Sequence, residues 1–160
     1  MAARQHWLVK SDALDFSFDD LMGSPGHTSA WDGVRNYQAR NFLRAMRRGD
    51  LVFFYHSGAT PPGIAGIAEV VREAYPDPSQ FDREDPHFDP RSKAADPAWV
   101  MVDLRAVQPL PRVVSLDELK AEPALRGLHV CQRGSRLSVH PVPGPAWAVV
   151  KALAKRKTGA

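Results

Sequence analysis

The sequence has a single cysteine, Cys131, among its 160 residues. One thiol excludes an intrachain disulfide and a zinc site built on clustered cysteines. No apolar run approaches the roughly 20 residues that a membrane-crossing helix needs. Met1 to Lys10 lacks the long apolar stretch of a secretory signal. A soluble, cytoplasmic protein is the expectation, with association to the nucleoid left open. Loops that mark common enzymes are missing too. There is no G-x-S-x-G elbow, and neither a G-x-x-x-x-G-K-[ST] nor a G-x-G-x-x-G phosphate loop. The six histidines show no close metal-binding spacing. No catalytic residue, metal or cofactor is therefore assigned. Asp85, His87 and Asp89 are close enough to chelate a cation, but acids in such a segment are mostly solvated.

What is present is ordinary for a globular chain: 44% hydrophobic and 24% charged residues. The length suits one domain. The net charge of +3 is small. Its distribution is not even. Between Asp32 and Asp50 there are five arginines (Arg35, Arg40, Arg44, Arg47, Arg48) and no acid. From Tyr75 to Ala98 there are six acids, three bases and five of the 14 prolines. A structureless stretch of that length is either functional or a solvated excursion.

Periodicity and capping signals give the elements. His6–Val9 reads as a first strand. Ser17-Phe18-Asp19-Asp20 has capping-box form and opens a short helix through Met22. Ser24-Pro25-Gly26 marks a loop from Gly23 to Thr28. Ala39, Phe42, Leu43 and Met46 make an apolar stripe on a helix from Tyr37 to Arg47. Leu51–Tyr55 is an unbroken apolar run, as in a strand buried on both faces. Further strands are expected at Ile64–Val71, Trp99–Val107 and Leu137–Val142. Gly66 leaves room for another chain or a ligand to approach the backbone. Ser115-Leu116-Asp117-Glu118 opens another helix that ends before Pro123. Pro145 opens the last one, whose apolar face is Ala146, Val149, Val150, Leu153 and Ala154. Lys155-Arg156-Lys157 reads as a frayed basic tail. Mixed elements with short connections predict an α+β domain: a small, mostly antiparallel sheet closing toward a barrel, with helices against it.

Trp31 to Asn41 is the richest stretch for chemistry. Arginine forks, amide side chains and a helix start suit contacts to phosphates and base edges. A solvated basic helix face with Trp31 in the core accounts for it equally well. Tyr55-His56-Ser57 lies where a strand turns into a loop. His56 there either meets a ligand or caps the sheet.

Several motifs together resemble the EVE domain. They are Trp7-Leu8-Val9-Lys10-Ser11, Trp31 to Asn41, Gly49 to Ser57, Gly63 to Val70, Tyr75-Pro76-Asp77 and Arg136 to Val142. The likeness covers Gln5 to Leu153. One departure is Ser11-Asp12-Ala13-Leu14, which stands in place of a Ser-Glu-Pro pattern. The resemblance implies one PUA-like domain over residues 1–160, and the charges of the last residues add 154–160 as a disordered basic tail. EVE domains are similar to YTH domains, which read a methylated adenine in RNA through an aromatic cage.

By that likeness the chain is a non-catalytic reader of a modified base, with modified cytosine in DNA favoured. A duplex base must be flipped out to be read. Trp31 matches the cage tryptophan. Ser11, Asn36, Tyr55, His56 and Ser57 complete the implied base pocket. Lys10, Arg35, Gln38 and Arg40 are the implied backbone contacts. Pro62, Gly63, Tyr75 and Asp77 form its rim. Trp31→Ala is expected to remove discrimination while largely sparing the fold. A separate nuclease or other effector would act on what is read. Two rivals are an RNA-binding module that reads a modified RNA base and an enzyme that processes a nucleotide in the same pocket.

Overall fold

The computed structural model describes residues 4–156. A six-stranded sheet runs through it in the order β2-β5-β4-β3-β1-β6. The strands are β1 (His6–Asp12), β2 (Thr28–Ala30), β3 (Leu51–Ser57), β4 (Gly63–Pro76), β5 (Val100–Ser115) and β6 (Val139–Pro141). The helices are α1 (Phe18–Gly23), α2 (Tyr37–Ala45), α3 (Leu116–Ala121) and α4 (Gly144–Lys155). Neighbouring strands are antiparallel, except that β1 and β3 run parallel. A parallel pair cannot be joined by a hairpin and needs a crossover. Here the crossover carries α1, β2 and α2.

β3 explains why the core has two halves. Its alternate side chains face opposite sides of the sheet. Val52 and Phe54 join Trp7, Val9, Leu21, Leu43 and Leu104 on one face. Phe53 and Tyr55 join Leu8, Ile64, Leu119, Val150 and Leu153 on the other. All four central β3 residues are buried, as a strand covered on both faces requires. Phe53 stacks on Trp147 of α4 with ring centroids 3.6 Å apart.

Both capping boxes form, at Ser17 with Asp20 and at Ser115 with Glu118. α2 stops at Ala45, two residues before the expected Arg47, because Met46 leaves the helical region and serves as its C-cap. The loop expected at Gly23–Thr28 is a 3-10 turn that leads into β2, a strand the sequence reading lacks. β5 does not end at Val107 but continues through Pro109 and Pro111. β2 pairs only with Asp103–Arg105. Beyond that point one side of β5 has no ladder, so prolines lacking an N–H are tolerated. Several register shifts between β4 and β5 mark bulges, which bend strands.

Residues 154 and 155 are not a tail. Ala154 is buried and Lys155 completes α4. The Arg156 carbonyl accepts from Arg112 Nε, and that guanidinium also binds Glu118 and the Leu153 carbonyl. The rest of the expected tail, 157–160, lies outside the described residues.

Gly66 has a specific use. A Cβ there would run into the Phe18 ring. The close approach foreseen at this glycine is made by the chain's own α1, not by a ligand. Phe18 is fully buried and has nowhere to move. Gly66→Ala should therefore destabilise by about 1–3 kcal/mol, the usual cost of overpacking. Urea denaturation checks this, and an unchanged midpoint would contradict it.

Candidate functional site

The crossover meets the carboxyl end of β1 around a pocket of about 620 Å³. That is within the usual range for small-ligand sites. Lys10, Ser11, Asp12 and Asp15 contribute one side, and Trp31 to Asn36 another. Phe16, Ser29, Ala30, His87 and Ser138 complete it. Of the residues singled out from the sequence, Trp31, Ser11, Asn36, Lys10 and Arg35 line this one pocket.

Trp31 is 8% exposed. Its ring meets Phe54 edge-on, with centroids 5.3 Å apart, and Phe16 at 6.4 Å. It is at once pocket wall and core. Trp31→Ala would open a core cavity at a cost of about 3–5 kcal/mol, so the expectation that it largely spares the fold does not hold.

Asn36 is the N-cap of α2. Its Oδ1 accepts from Ala39 N at 2.9 Å. Its amide NH2 has no partner among the described residues, and Asn36 lines the pocket. Ser11 Oγ donates to the Phe16 carbonyl at 2.6 Å, which leaves its lone pairs for an incoming donor. Lys10 Nζ reaches the Ser135 carbonyl at 3.5 Å and lies 5.9 Å from the Tyr55 ring centroid. Burial lowers its pKa.

Asp77 is not rim. It is fully buried beneath the Trp31–Asn36 loop. Its Oδ2 accepts from Gly33 N at 2.8 Å and Arg35 Nη1 at 3.2 Å, and its Oδ1 from Ser79 N and Oγ. Burial by itself would raise its pKa. Hydrogen bonds from Ser79, Gly33 and Arg35 outweigh that and hold it below the ordinary aspartate value. Arg35 was expected to hold a phosphate. Its Nε instead donates to the His87 carbonyl and its Nη2 to Ser79, and its guanidinium lies over Trp99 at 5.3 Å. This arginine shapes the pocket and has little left to offer a ligand.

The acidic, proline-rich segment is therefore a buttress where Asp77, Ser79 and Gln80 anchor it, and a largely solvated excursion from 81 to 96. Gln80 is fully buried and bonds the Asp77 and Trp99 carbonyls and Trp99 N. Asp89 accepts from Trp99 Nε1 and Arg91 N. Asp85 accepts from His87 N and Nδ1. These acids serve as acceptors in turns, not as a chelating set. The His87 ring rests on Gly33, whose φ of +77° and lack of Cβ allow the contact.

Other expected site residues lie elsewhere. Tyr55 faces the second core, and burial raises its pKa. His56 Nε2 accepts from Phe18 N at 2.9 Å, so it caps α1 and is neutral there. Its pKa is lowered by burial. The Ser57 carbonyl accepts from Ala13 N. The Pro62 carbonyl accepts from Leu116 N, and Gly63 lies tight against the β5 backbone at Val114. Tyr75 donates to Asp103. None of these borders the pocket. Gln38 is exposed on α2 away from it. Arg40 bonds the Ala98 carbonyl and Asn41 outside the pocket. The reading missed Asp12, Asp15, Asp32, Ser29, His87 and Ser138. Asp32 was legible, since it adjoins Trp31. His87 and Ser138 come from distant segments and carry no local signal.

Among the described residues no helix is long and apolar enough to cross a membrane. Comparison with known proteins agrees with the fold. Human thymocyte nuclear protein 1 is 50% identical over 125 residues, which are 72% of this chain and 56% of that protein. The chain thus spans about half the length of the curated relatives it matches. The human THYN1 protein in complex with DNA containing 5-methylcytosine superposes with a TM-score of 0.91 at 42% identity, covering 96% of this chain and 99% of that one. A crystal structure from Pseudomonas putida gives 0.89 at 48% identity, covering 93% and 99%. A YTH domain from Zygosaccharomyces rouxii shares the fold at 14% identity, with a TM-score of 0.55 over 100% of this chain and 90% of that one. The architecture is PUA-like. The EVE domain profile matches residues 5–153, and the chain belongs to the EVE domain family.

Proposed function

We propose that this protein is a non-catalytic reader of modified cytosine in DNA, with the flipped base seated in the Trp31 pocket. The observation that carries the reading is the pocket itself: an aromatic wall, an unpartnered amide and several acceptors at one opening. Its likeness to a protein solved with 5-methylcytosine DNA supports it. A flipped cytosine presents an N4 donor, two ring-side acceptors and an apolar C5 substituent. Asp32 accepts from N4. The Asn36 NH2 donates to the acceptor edge. The C5 methyl lies against Trp31. Lys10 balances the charge of the adjoining phosphate.

The test is binding to matched duplexes with cytosine or 5-methylcytosine. Equal affinity would overturn the reading, and tighter binding to a matched methylated RNA would overturn its DNA part. Asn36→Asp is the cleanest variant. Aspartate caps a helix as well as asparagine does, but it replaces the NH2 donor with an acceptor. Affinity for both duplexes should fall, by at least tenfold for the modified one, on the scale of a lost hydrogen bond. The melting temperature should stay unchanged. Fluorescence anisotropy reads the first effect and thermal unfolding the second.

A further inference from the structure

A second recess of about 470 Å³ lies between α2 and the 91–98 segment. Tyr37, Arg40 and Arg44 line it from the helix; Arg91, Lys93 and Asp96 line it from the opposite side. Four cations thus face one acid. Arg44, Arg91 and Lys93 have no side-chain ion pair among the described residues. Arg40 is the held member, bonded to the Ala98 carbonyl. Burial and the neighbouring Arg44 lower its pKa, as uncompensated positive charge should. Like charges gathered in one recess repel, and an anion relieves that repulsion.

Tyr37 adds a second feature. It is 60% exposed, the largest exposure of any aromatic in the described chain. Yet it is fixed, with Trp99 4.8 Å away and the Arg40 guanidinium 4.8 Å from its ring. Its chain neighbour Asn36 borders the first pocket. The linings of the two recesses therefore meet at neighbouring residues, whose Cα atoms are about 3.8 Å apart.

We propose that this groove holds the sugar-phosphate backbone of the DNA strand next to the base in the Trp31 pocket. Its phosphates lie on Arg44, Arg91 and Lys93, and the adjoining sugar lies against Tyr37. This rests on the proposed reading and adds to it a track that reads no sequence. Phosphate contacts position a strand, whereas base contacts specify it.

The experiment measures binding of the full chain and its Arg91→Ala/Lys93→Ala variant to methylated and unmethylated duplexes, between about 50 and 200 mM salt. Both side chains are exposed, and circular dichroism checks the fold. Affinity for both duplexes should fall at least tenfold, with their ratio retained. The slope of log affinity against log salt should become shallower by about 2, since each lost phosphate contact removes about 0.9. An unmoved slope and unmoved affinities in the folded variant overturn the groove and leave the reader intact. A shallower slope in a protein that ignores methylation overturns the reader and keeps the groove as a phosphate track.

Discussion

Asp77→Ala should lose about 3 kcal/mol of stability and all discrimination between modified and unmodified DNA. The carboxylate is buried and takes four hydrogen bonds, two of them from the loop that carries Trp31 and Asn36. Alanine strands the Gly33 N–H and the Ser79 N–H in the interior. It also leaves the Arg35 guanidinium, 21% exposed at its side chain, without its anion. Breaking a buried pair by deleting one partner costs roughly 3–5 kcal/mol. The lower end applies because Arg35 retains solvent contact and other partners. Asp77→Asn should do less damage, since one oxygen still accepts. Urea denaturation and duplex binding measure the two effects. A variant that keeps its midpoint and still discriminates would show that the Trp31 loop holds its own shape.

The second large effect is acid lability. His140 is fully buried on β6. Its ring lies 5.2 Å from the His129 ring. Its Nδ1 is 3.0 Å from the Pro141 carbonyl, to which the neutral ring donates. The other nitrogen, Nε2, is buried with no partner. A second proton would place an unsolvated cation near Lys10 and His129. Burial accordingly pushes the pKa down to about 4. The unfolded chain takes up that proton near pH 6.5. Above that value both states are neutral, and the group does not affect stability. As pH falls from 6.5 toward 4, only the unfolded state gains the proton, so stability falls. The integrated loss is about 3 kcal/mol. His56 and His6 are shifted in the same direction by burial and add to it. Unfolding midpoints measured from pH 7.5 downward should drop steeply below about 6.5. His140→Leu should flatten the profile. The same steepness in that variant would assign acid lability to other groups.

Local rules made much of the fold legible. Ser17 and Ser115 announced two helices because a capping box satisfies orphan amides within four residues. The β3 run announced its own burial on both faces. The pocket was legible where its residues are consecutive, from Trp31 to Asn36. Contacts that depend on distant partners were not legible. Asp77 looks like one more acid in a solvated stretch, and only its meeting with Gly33 and Arg35 turns it into an anchor. Arg35 looks like a phosphate ligand until its donors are counted. His56 is a cap because α1 arrives above it, which the sequence around His56 does not encode. Pro109 and Pro111 appear to end a strand until the short reach of β2 is known.

The parallel pairing of β1 with β3 obliges the chain to cross over between Asp12 and Leu51, adding only the three residues of β2 to the sheet on the way. Trp31, Asn36 and most of the pocket wall lie on that crossover, whereas the register of β1, β3 and β4 is set outside it. Pocket wall and central sheet can therefore vary separately. An exchange of Ala13 to Asn36 between homologues should alter the pocket wall and leave that register in place, provided that Phe18 still covers Gly66, Trp31 still meets Phe54 and Gly33 still reaches Asp77.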